Sequence, residues 1–177
     1  MKIRRNYFKL IIDFILMEIL PLTRELAIEK ADEILALEHN WTEIGDEAWD
    51  INNLLSDLPL KWELSHFVLC HKKVVGYQIG CMCSYLGHNE KVQLKKIIVD
   101  RSMRKLGIGR KLLKPFLEKS LEKGIETIRF RVRTDNPAVS FYDKLGFHRE
   151  DGVDRTRTDK ISSYFYDTSI REVLPNV

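Results

Sequence analysis

Cysteine is scarce in this sequence: three residues among 177, Cys70, Cys81 and Cys83, with no C-x-x-C pair. That argues against a disulfide framework and for reduced thiols in a cytoplasmic protein. Proline is nearly as sparse, at five residues, and no Pro/Gly/Ser-rich tract, internal repeat or low-complexity segment divides the chain. A single domain able to bury a sizeable core is therefore expected. Long apolar runs are missing as well. The N-terminus, MKIRRNYFKLIIDFILMEIL, opens on basic residues and turns apolar, but Lys9, Asp13 and Glu18 interrupt it and no small-residue cleavage site precedes PLTRELAIEK. It is too short to span a bilayer, so no membrane partner is expected. Residues 1–16 read as an N-terminal extension of unknown role and residues 17–177 as the domain. Phosphate-loop fingerprints are incomplete: there is no G-x-x-x-x-G-K-[ST], and a dinucleotide loop would need a third glycine where Leu112 stands.

Charge is present in quantity and unevenly placed. Residues 17–70 hold twelve acids against Arg24, Lys30 and Lys61, a net −9, whereas residues 91–133 hold fourteen Lys/Arg against four acids, a net +10. Solvated faces account for such runs in many proteins; an anionic partner on the central segment and a cationic one on the earlier segment would account for both together. Hydropathy periods give the elements. A strand is expected over residues 14–20, then a helix capped by Thr23 and running to about Glu38, then helical character from about Glu43 to Leu58. HFVLCH and VVGYQIGCMCSYL read as a hairpin joined at Lys72 and Lys73, and KVQLKKIIVD as a further strand. Ile108, Leu112, Leu113, Phe116, Leu117 and Leu121 recur at helical spacing up to Gly124. TIRFRVR alternates strictly, a short helix closed by Gly146 follows Asn136, and SSYFYDTSI ends the pattern as a strand.

The stretch VDRSMRKLGIGRKLL, residues 99–113, lies where a strand hands over to a helix. The first N–H groups of a helix have no intrahelical acceptor, and the helix dipole adds positive potential there. Gly107 and Gly109 are read as keeping side chains away from an approaching phosphate, with Arg104, Lys105 and Arg110 supplying charge. The pattern V-D-x-x-x-R-x-x-G-I-G-x-x-L-L, followed after one strand by N-P-A-V-x-F-Y-x-K-L-G-F, resembles the GNAT superfamily of N-acetyltransferases, most clearly from Gln93 to Phe147.

That resemblance implies an α/β (α+β) fold, with a mixed, splayed sheet of about six to seven strands flanked by about four helices. It implies acetyl-CoA as co-substrate and no metal. The pyrophosphate would rest on the N–H groups of Arg104, Lys105, Leu106, Gly107, Ile108, Gly109 and Arg110. The strand ending Ile97, Ile98, Val99 would pair with the pantetheine arm at Ile97 and Val99, and the Ile97 N–H would bond the thioester oxygen as it gains charge. Asn136 would hydrogen-bond the arm, and Tyr142 would stand near the sulfur as general acid. Read from the residues alone, Asn136 is equally a helix cap and Tyr142 a core aromatic.

Two departures from the family pattern matter. Some protein-lysine acetyltransferases place a glutamate where this chain has Gln93, and ribosomal-protein N-terminal acetyltransferases often carry an acid where Arg131 stands. Water, or Glu38, Glu43, Asp46 or Glu47, is left to take the amine's proton. The acidic early segment suggests a cationic acceptor (a polyamine, an aminoglycoside or a basic peptide), with Trp41, Trp49 and Trp62 as an aromatic wall or simply as core. His66, Cys70, His71, Cys81 and Cys83 lack metal-ligand spacing. Arg129, Arg131 and Arg133 form a basic stripe without interleaved stacking residues, so nucleic acid is not the expected partner. A homodimer is left open. The reading is acetyl transfer to a primary amine by direct attack in a ternary complex; the alternative is a non-catalytic acyl-CoA-binding or sensory module.

Overall fold

The computed structural model describes residues 16–39, 48–82, 91–150 and 162–177. Six strands form one sheet in chain order: β1 (Met17–Pro21), β2 (His66–Cys70), β3 (Lys73–Met82), β4 (Lys91–Val99), β5 (Thr127–Arg133) and β6 (Ser163–Ser169). Neighbours are antiparallel except β4 and β5, which are parallel. The described helices are α1 (Arg24–Glu29), α2 (Ala31–His39), α3 (Ile51–Leu55), α4 (Lys61–Leu64), α5 (Ile108–Glu122), α6 (Val139–Lys144) and α7 (Ile170–Val173). The expected mixed sheet is present. Helices outnumber the four anticipated because α3, α4 and α7 are little more than one turn each.

Three local expectations are corrected. Thr23 does cap, its Oγ1 accepting from the Leu26 N–H at 3.2 Å, but Lys30 closes α1 and a separate α2 follows. The hairpin turns at His71 and Lys72, with φ of 50° and 65°, while Lys73 already pairs with Cys70. Two consecutive left-handed residues match the twist of a tight hairpin, which is why the turn sits one residue earlier than the charges suggested. The helical region placed over Glu43–Leu58 narrows to α3, started by Asp50 and Asn53 bonding each other reciprocally. Trp41, Glu43, Asp46, Glu47, Cys83 and residues 1–15 lie outside the described residues.

Strand β4 sets the geometry that matters most. Leu94 faces Gly80 and Lys96 faces Ile79, so Lys95 is one residue too many: a β-bulge. The bulge reverses the alternation. Val92 and Leu94 join the core under α5, and beyond the bulge Ile97 and Val99 take that side while Ile98 joins the opposite core. An inserted residue also increases local twist. Pairing of β4 with β5 covers Lys91–Thr127, Val92–Ile128 and Gln93–Arg129 and goes no further. Past that point the strands diverge.

Each face of the sheet has its own apolar layer. Helix α5 buries Ile108, Leu112, Leu113, Phe116 and Leu117 on one face. On the other, Ala27, Ile34, Leu37 and Leu54 cover Phe67, Tyr77 and Ile79. Strand β5 keeps the alternation its sequence shows, with Ile128, Phe130 and Val132 buried on the α5 side. Lys61 is fully buried, and its ammonium donates to the Leu54 and Ser56 carbonyls at 2.7 and 2.8 Å, closing the C-terminal end of α3. Burial pushes its pKa down to about 8.

Helix α5 meets the sheet tightly at Gly80, where a Cβ would lie 2.3 Å from Cε2 of Phe116. Gly80→Ala is expected to cost about 1–3 kcal/mol through overpacking, seen as a lower urea midpoint, with Phe116→Leu in the same chain recovering part of it. An unchanged midpoint would show that α5 shifts away without cost.

Candidate active site

The site begins at the corner where β4 hands over to α5. Asp100 accepts from the Ser102 N–H at 2.8 Å and starts a 3₁₀ turn over Arg101–Met103. Arg104 then sends Nε back to the Val99 carbonyl at 3.1 Å, so one duty of this cation is to tie the corner to the strand. Lys105 adopts φ 65° without being glycine, and Gly107 at 79° precedes the first residue of α5. These left-handed residues bend the chain sharply and leave the first-turn N–H groups of a 15-residue helix at a corner where Lys105, Gly107 and Arg110 are exposed. Leu106 and Ile108 turn inward against Val68 and Leu112, leaving only their backbones for a ligand.

The two glycines play different parts. A Cβ on Gly107 would meet nothing within 4 Å, so conformation alone demands glycine and the space beside it is open. A Cβ on Gly109 would meet Cζ of Phe141 at 3.2 Å. Its bareness lets α5 and α6 touch.

Between the diverging strands lies a cleft of about 460 Å³. Residues 93–98 of β4 form one wall, residues 130–133 of β5 the other, Asn136, Ala138 and Tyr142 close the α5 side, and Glu38, Trp49 and Asn53 border the α2 side. The Asp100 N–H bonds the Val75 carbonyl on β3 at 2.8 Å. Stepping back along an antiparallel ladder, Ile98 faces β3, while Ile97 and Val99 direct their N–H groups away from it, into the splay. Ile98, expected among the cofactor contacts, pairs with Tyr77 and is buried beneath α1–α3 while also bordering the cleft. It positions the strand.

Tyr142 is 4% exposed and borders the cleft from inside an aromatic cluster, with ring centroids 4.7 Å from Phe130 and 5.8 Å from both Phe147 and Tyr166. Burial, then the neighbouring Tyr166, raises its pKa above the ordinary phenol value. Asn136 is a cap, its Oδ1 accepting from the Ala138 N–H at 2.8 Å. The cap uses the oxygen, so its NH₂ is what the side chain has to offer the cleft.

Polar groups on the α2 side were only partly foreseen. Glu38, one of the acids considered as a base, is 1% exposed and held by three partners: the Tyr77 hydroxyl, the Trp49 N–H at 3.2 Å and Lys96 at 3.0 Å. Such a carboxylate anchors α2 to β4. Lys96 also lies over the Trp49 ring at 5.4 Å and Lys61 over Trp62 at 4.6 Å, so both tryptophans already have cations of the protein's own. Gln93 and Arg131 do both border the cleft, and Gln93 Oε1 is buried with no hydrogen-bond partner among the described residues. Glu38 is the one acid among the described lining residues, against Lys95, Lys96, Arg131 and Arg133. The acidity of residues 17–70 is therefore not the charge of the described cleft wall. The alternation of Val92 and Leu94 followed by Ile97 and Val99, broken at two lysines, was the available signal for the bulge. No sequence signal marked Lys105 as left-handed.

A mixed sheet splayed at its parallel β4–β5 junction, with an anion-ready corner at the end of the splayed strand, defines the fold class. The Acetyltransferase (GNAT) family model matches residues 28–147, and the chain accordingly belongs to the GNAT acetyltransferases, which are acetyl-CoA-dependent enzymes. Solved structures agree on the fold. The ribosomal-protein-S18-alanine N-acetyltransferase of Escherichia coli superposes with a TM-score of 0.68 at 21% identity, covering 87% of this chain and 94% of that one. Ard1 of Thermoplasma volcanium gives 0.69 at 22%, covering 87% and 97%. The PaiA N-acetyltransferase of Thermoplasma acidophilum, solved with coenzyme A, gives 0.65 at 21%, covering 86% and 98%. No curated protein matches significantly. Among the described residues no group of three or more His, Cys, Asp or Glu is arranged to hold a metal, and no helix is long and apolar enough to cross a membrane.

Because Gly107 has open space but a left-handed backbone, Gly107→Ala is expected to cost about 1–2 kcal/mol from conformation alone, lowering the thermal midpoint by several degrees. A midpoint equal to the parent's would mean that the corner relaxes to another backbone shape.

Proposed function

We propose that the protein moves the acetyl group of acetyl-CoA to a primary amine by direct attack, with both substrates bound together in the cleft between β4 and β5. One observation carries this: the bulged strand turns the N–H groups of Ile97 and Val99 into a cleft whose far end is the Gly107 corner. A single element thus offers donors for a thioester and its amide-bearing arm, and hands over to a cradle for a diphosphate. The residues fit the co-substrate in chemistry as well as placement. The main-chain N–H groups from Arg104 to Arg110, with Lys105 and Arg110 exposed beside them, would hold the diphosphate. Ile97 and Val99 would hold the arm, with the Asn136 NH₂ as a further donor.

Acetyl-CoA supplies an activated acetyl thioester; the protein's task is to orient it and stabilise developing charge. The Ile97 N–H would meet the thioester oxygen as it gains negative charge, and a fixed donor favours that state over the resting carbonyl. Tyr142 keeps its proton at neutral pH, as an ordinary phenol does, and burial raises its pKa further. It would donate a hydrogen bond to the leaving sulfur and give up the proton as the thiolate forms. Nothing among the described residues offers an uncommitted carboxylate for the amine's proton, since Glu38 is already shared by three groups. Water is the exit this geometry favours.

The alternative, a module that binds acyl-CoA without turnover, draws on Gln93 and Arg131 standing where a carboxylate base would be sought. We take residues 17–177 as one domain and the buried thiols Cys70 and Cys81 as suited to the cytoplasm.

Calorimetry should show coenzyme A binding, weakened by Lys105→Glu with Arg110→Glu, and thiol release should depend on an added amine. Tyr142→Phe is expected to lower the single-turnover rate by about 10²-fold, and an unchanged rate would remove the phenol from the reaction. Binding without release across amines of every charge would establish the module instead.

A further inference from the structure

Tyr142 stands on a helix too short to hold itself in place. Helix α6 has six residues, well below the length at which an isolated helix is stable in water, so its neighbours decide where it lies. Three successive side chains on it meet different surroundings. Phe141 rests against Gly109, its Cζ 3.2 Å from where a Cβ would stand. Tyr142 borders the cleft. Asp143 accepts from Arg149 Nε at 2.9 Å, from Arg149 Nη2, and from the Tyr166 hydroxyl at 3.0 Å. Arg149 is itself bridged to Tyr166 through the backbone and lays its guanidinium 4.5 Å from the Tyr164 ring centroid. One carboxylate thus ties α6 to β6 at the residue next to the phenol.

The tie has little to give to overall stability. Asp143 and Arg149 keep 33% and 38% of their side-chain surface exposed, and ion pairs that wet contribute little net free energy. What a two-bond arginine–carboxylate pair supplies is a fixed geometry. Beside it lie two phenols, ring centroids 5.8 Å apart, and only one is committed. The Tyr166 ring stacks on Phe130 within 5° of parallel, and its hydroxyl is given to Asp143. The Tyr142 hydroxyl makes no hydrogen bond to another described residue. Its ring is packed among Phe130, Phe141, Phe147 and Tyr166, so the position of α6 sets the direction of the O–H. Placement matters steeply for a reacting group: about 1 Å can cost about 10²-fold in rate.

Resting on the acetyl-transfer reading above, with Tyr142 as its acid, we infer that Asp143, Tyr166 and Arg149 form a positioning clamp for Tyr142, holding α6 on β6 so that the phenol meets the leaving sulfur. None of the three is among the described residues that line the cleft. They are positioning residues, acting on the reaction through Tyr142. The clamp therefore has nothing to offer a turnover that does not use the phenol. A plain brace between α6 and β6 would behave otherwise, because its loss would loosen the wall and slow transfer whether or not the phenol is present.

The test is a double-mutant cycle in the full chain, read as single-turnover thiol release from acetyl-CoA with whichever of ethylamine, spermidine and alanine amide the parent uses fastest. Tyr166→Phe deletes one hydroxyl and keeps the ring stack. It is expected to slow the parent about ten-fold, and to change the Tyr142→Phe protein by less than about two-fold, since residues that act as a unit are not additive. Coenzyme A affinity by calorimetry should be the same in all four proteins. Asp143→Asn, which keeps an acceptor oxygen, should retain more rate than Asp143→Ala, and this pair carries the same comparison if Tyr166→Phe does not fold. An unchanged rate for Tyr166→Phe in the parent overturns the inference while leaving acetyl transfer standing. So does an equal loss in both backgrounds, which would make the tie a brace, or a loss of coenzyme A affinity. A Tyr142→Phe rate equal to the parent's removes phenol and clamp together, and a parent that binds coenzyme A but releases thiol with no amine fails the transfer reading itself.

Discussion

One inserted residue in one strand underlies the site. Without the bulge at Lys95, β4 would carry its alternation unbroken to Val99 and would have every reason to go on pairing with β5, since parallel neighbours in a sheet normally satisfy each other's backbone along their shared length. With it, the twist rises, the ladder to β5 stops at Gln93, and the N–H groups of Ile97 and Val99 lose a partner within the sheet. Buried donors left unmade are costly, so a strand of this shape favours a ligand that supplies the missing acceptors. On the proposed reading, affinity for an amide-bearing arm and the capacity to stabilise a developing oxyanion would arise from the same structural fault.

The rest of the architecture keeps that fault from healing. Lys96 and Tyr77 fasten β4 and β3 to α2 through Glu38, Arg104 clamps the end of β4 to the corner through the Val99 carbonyl, and Phe116 presses on the bare backbone of Gly80. On the other strand, Phe130 stacks on Tyr166 at 4.8 Å with nearly parallel rings, holding β5 to β6. Each strand of the splay is thus tied to the neighbour on its outer side. The two walls are separately braced, and what lies between them is left for substrates.

Much of this was legible in the residues. Strict alternation in TIRFRVR, leucine spacing after Ile108 and glycines at 124 and 146 gave β5, α5 and two left-handed helix ends, since each depends on a local period or a backbone preference. Other features were hidden for physical reasons. Lys30 divides one periodic stretch into α1 and α2, and nothing in its side chain announces this. His71, Lys72 and Lys105 adopt left-handed backbones that glycine would advertise but lysine and histidine do not. Summing charge over residues 17–70 could not show that, among the described residues, Glu38 alone of those acids borders the cleft and is held by Lys96.

The sequence alone determined the class of element at each position, the charged corner between strand and helix, and the motif pair that carries the family, because these rest on neighbours within a few residues. Only tertiary structure decided which backbone donors face the cleft, which glycine meets a neighbouring helix, and which charges border the cleft. Those outcomes depend on pairing register and on side chains brought together from distant strands, and a register can shift by one residue without changing any local pattern.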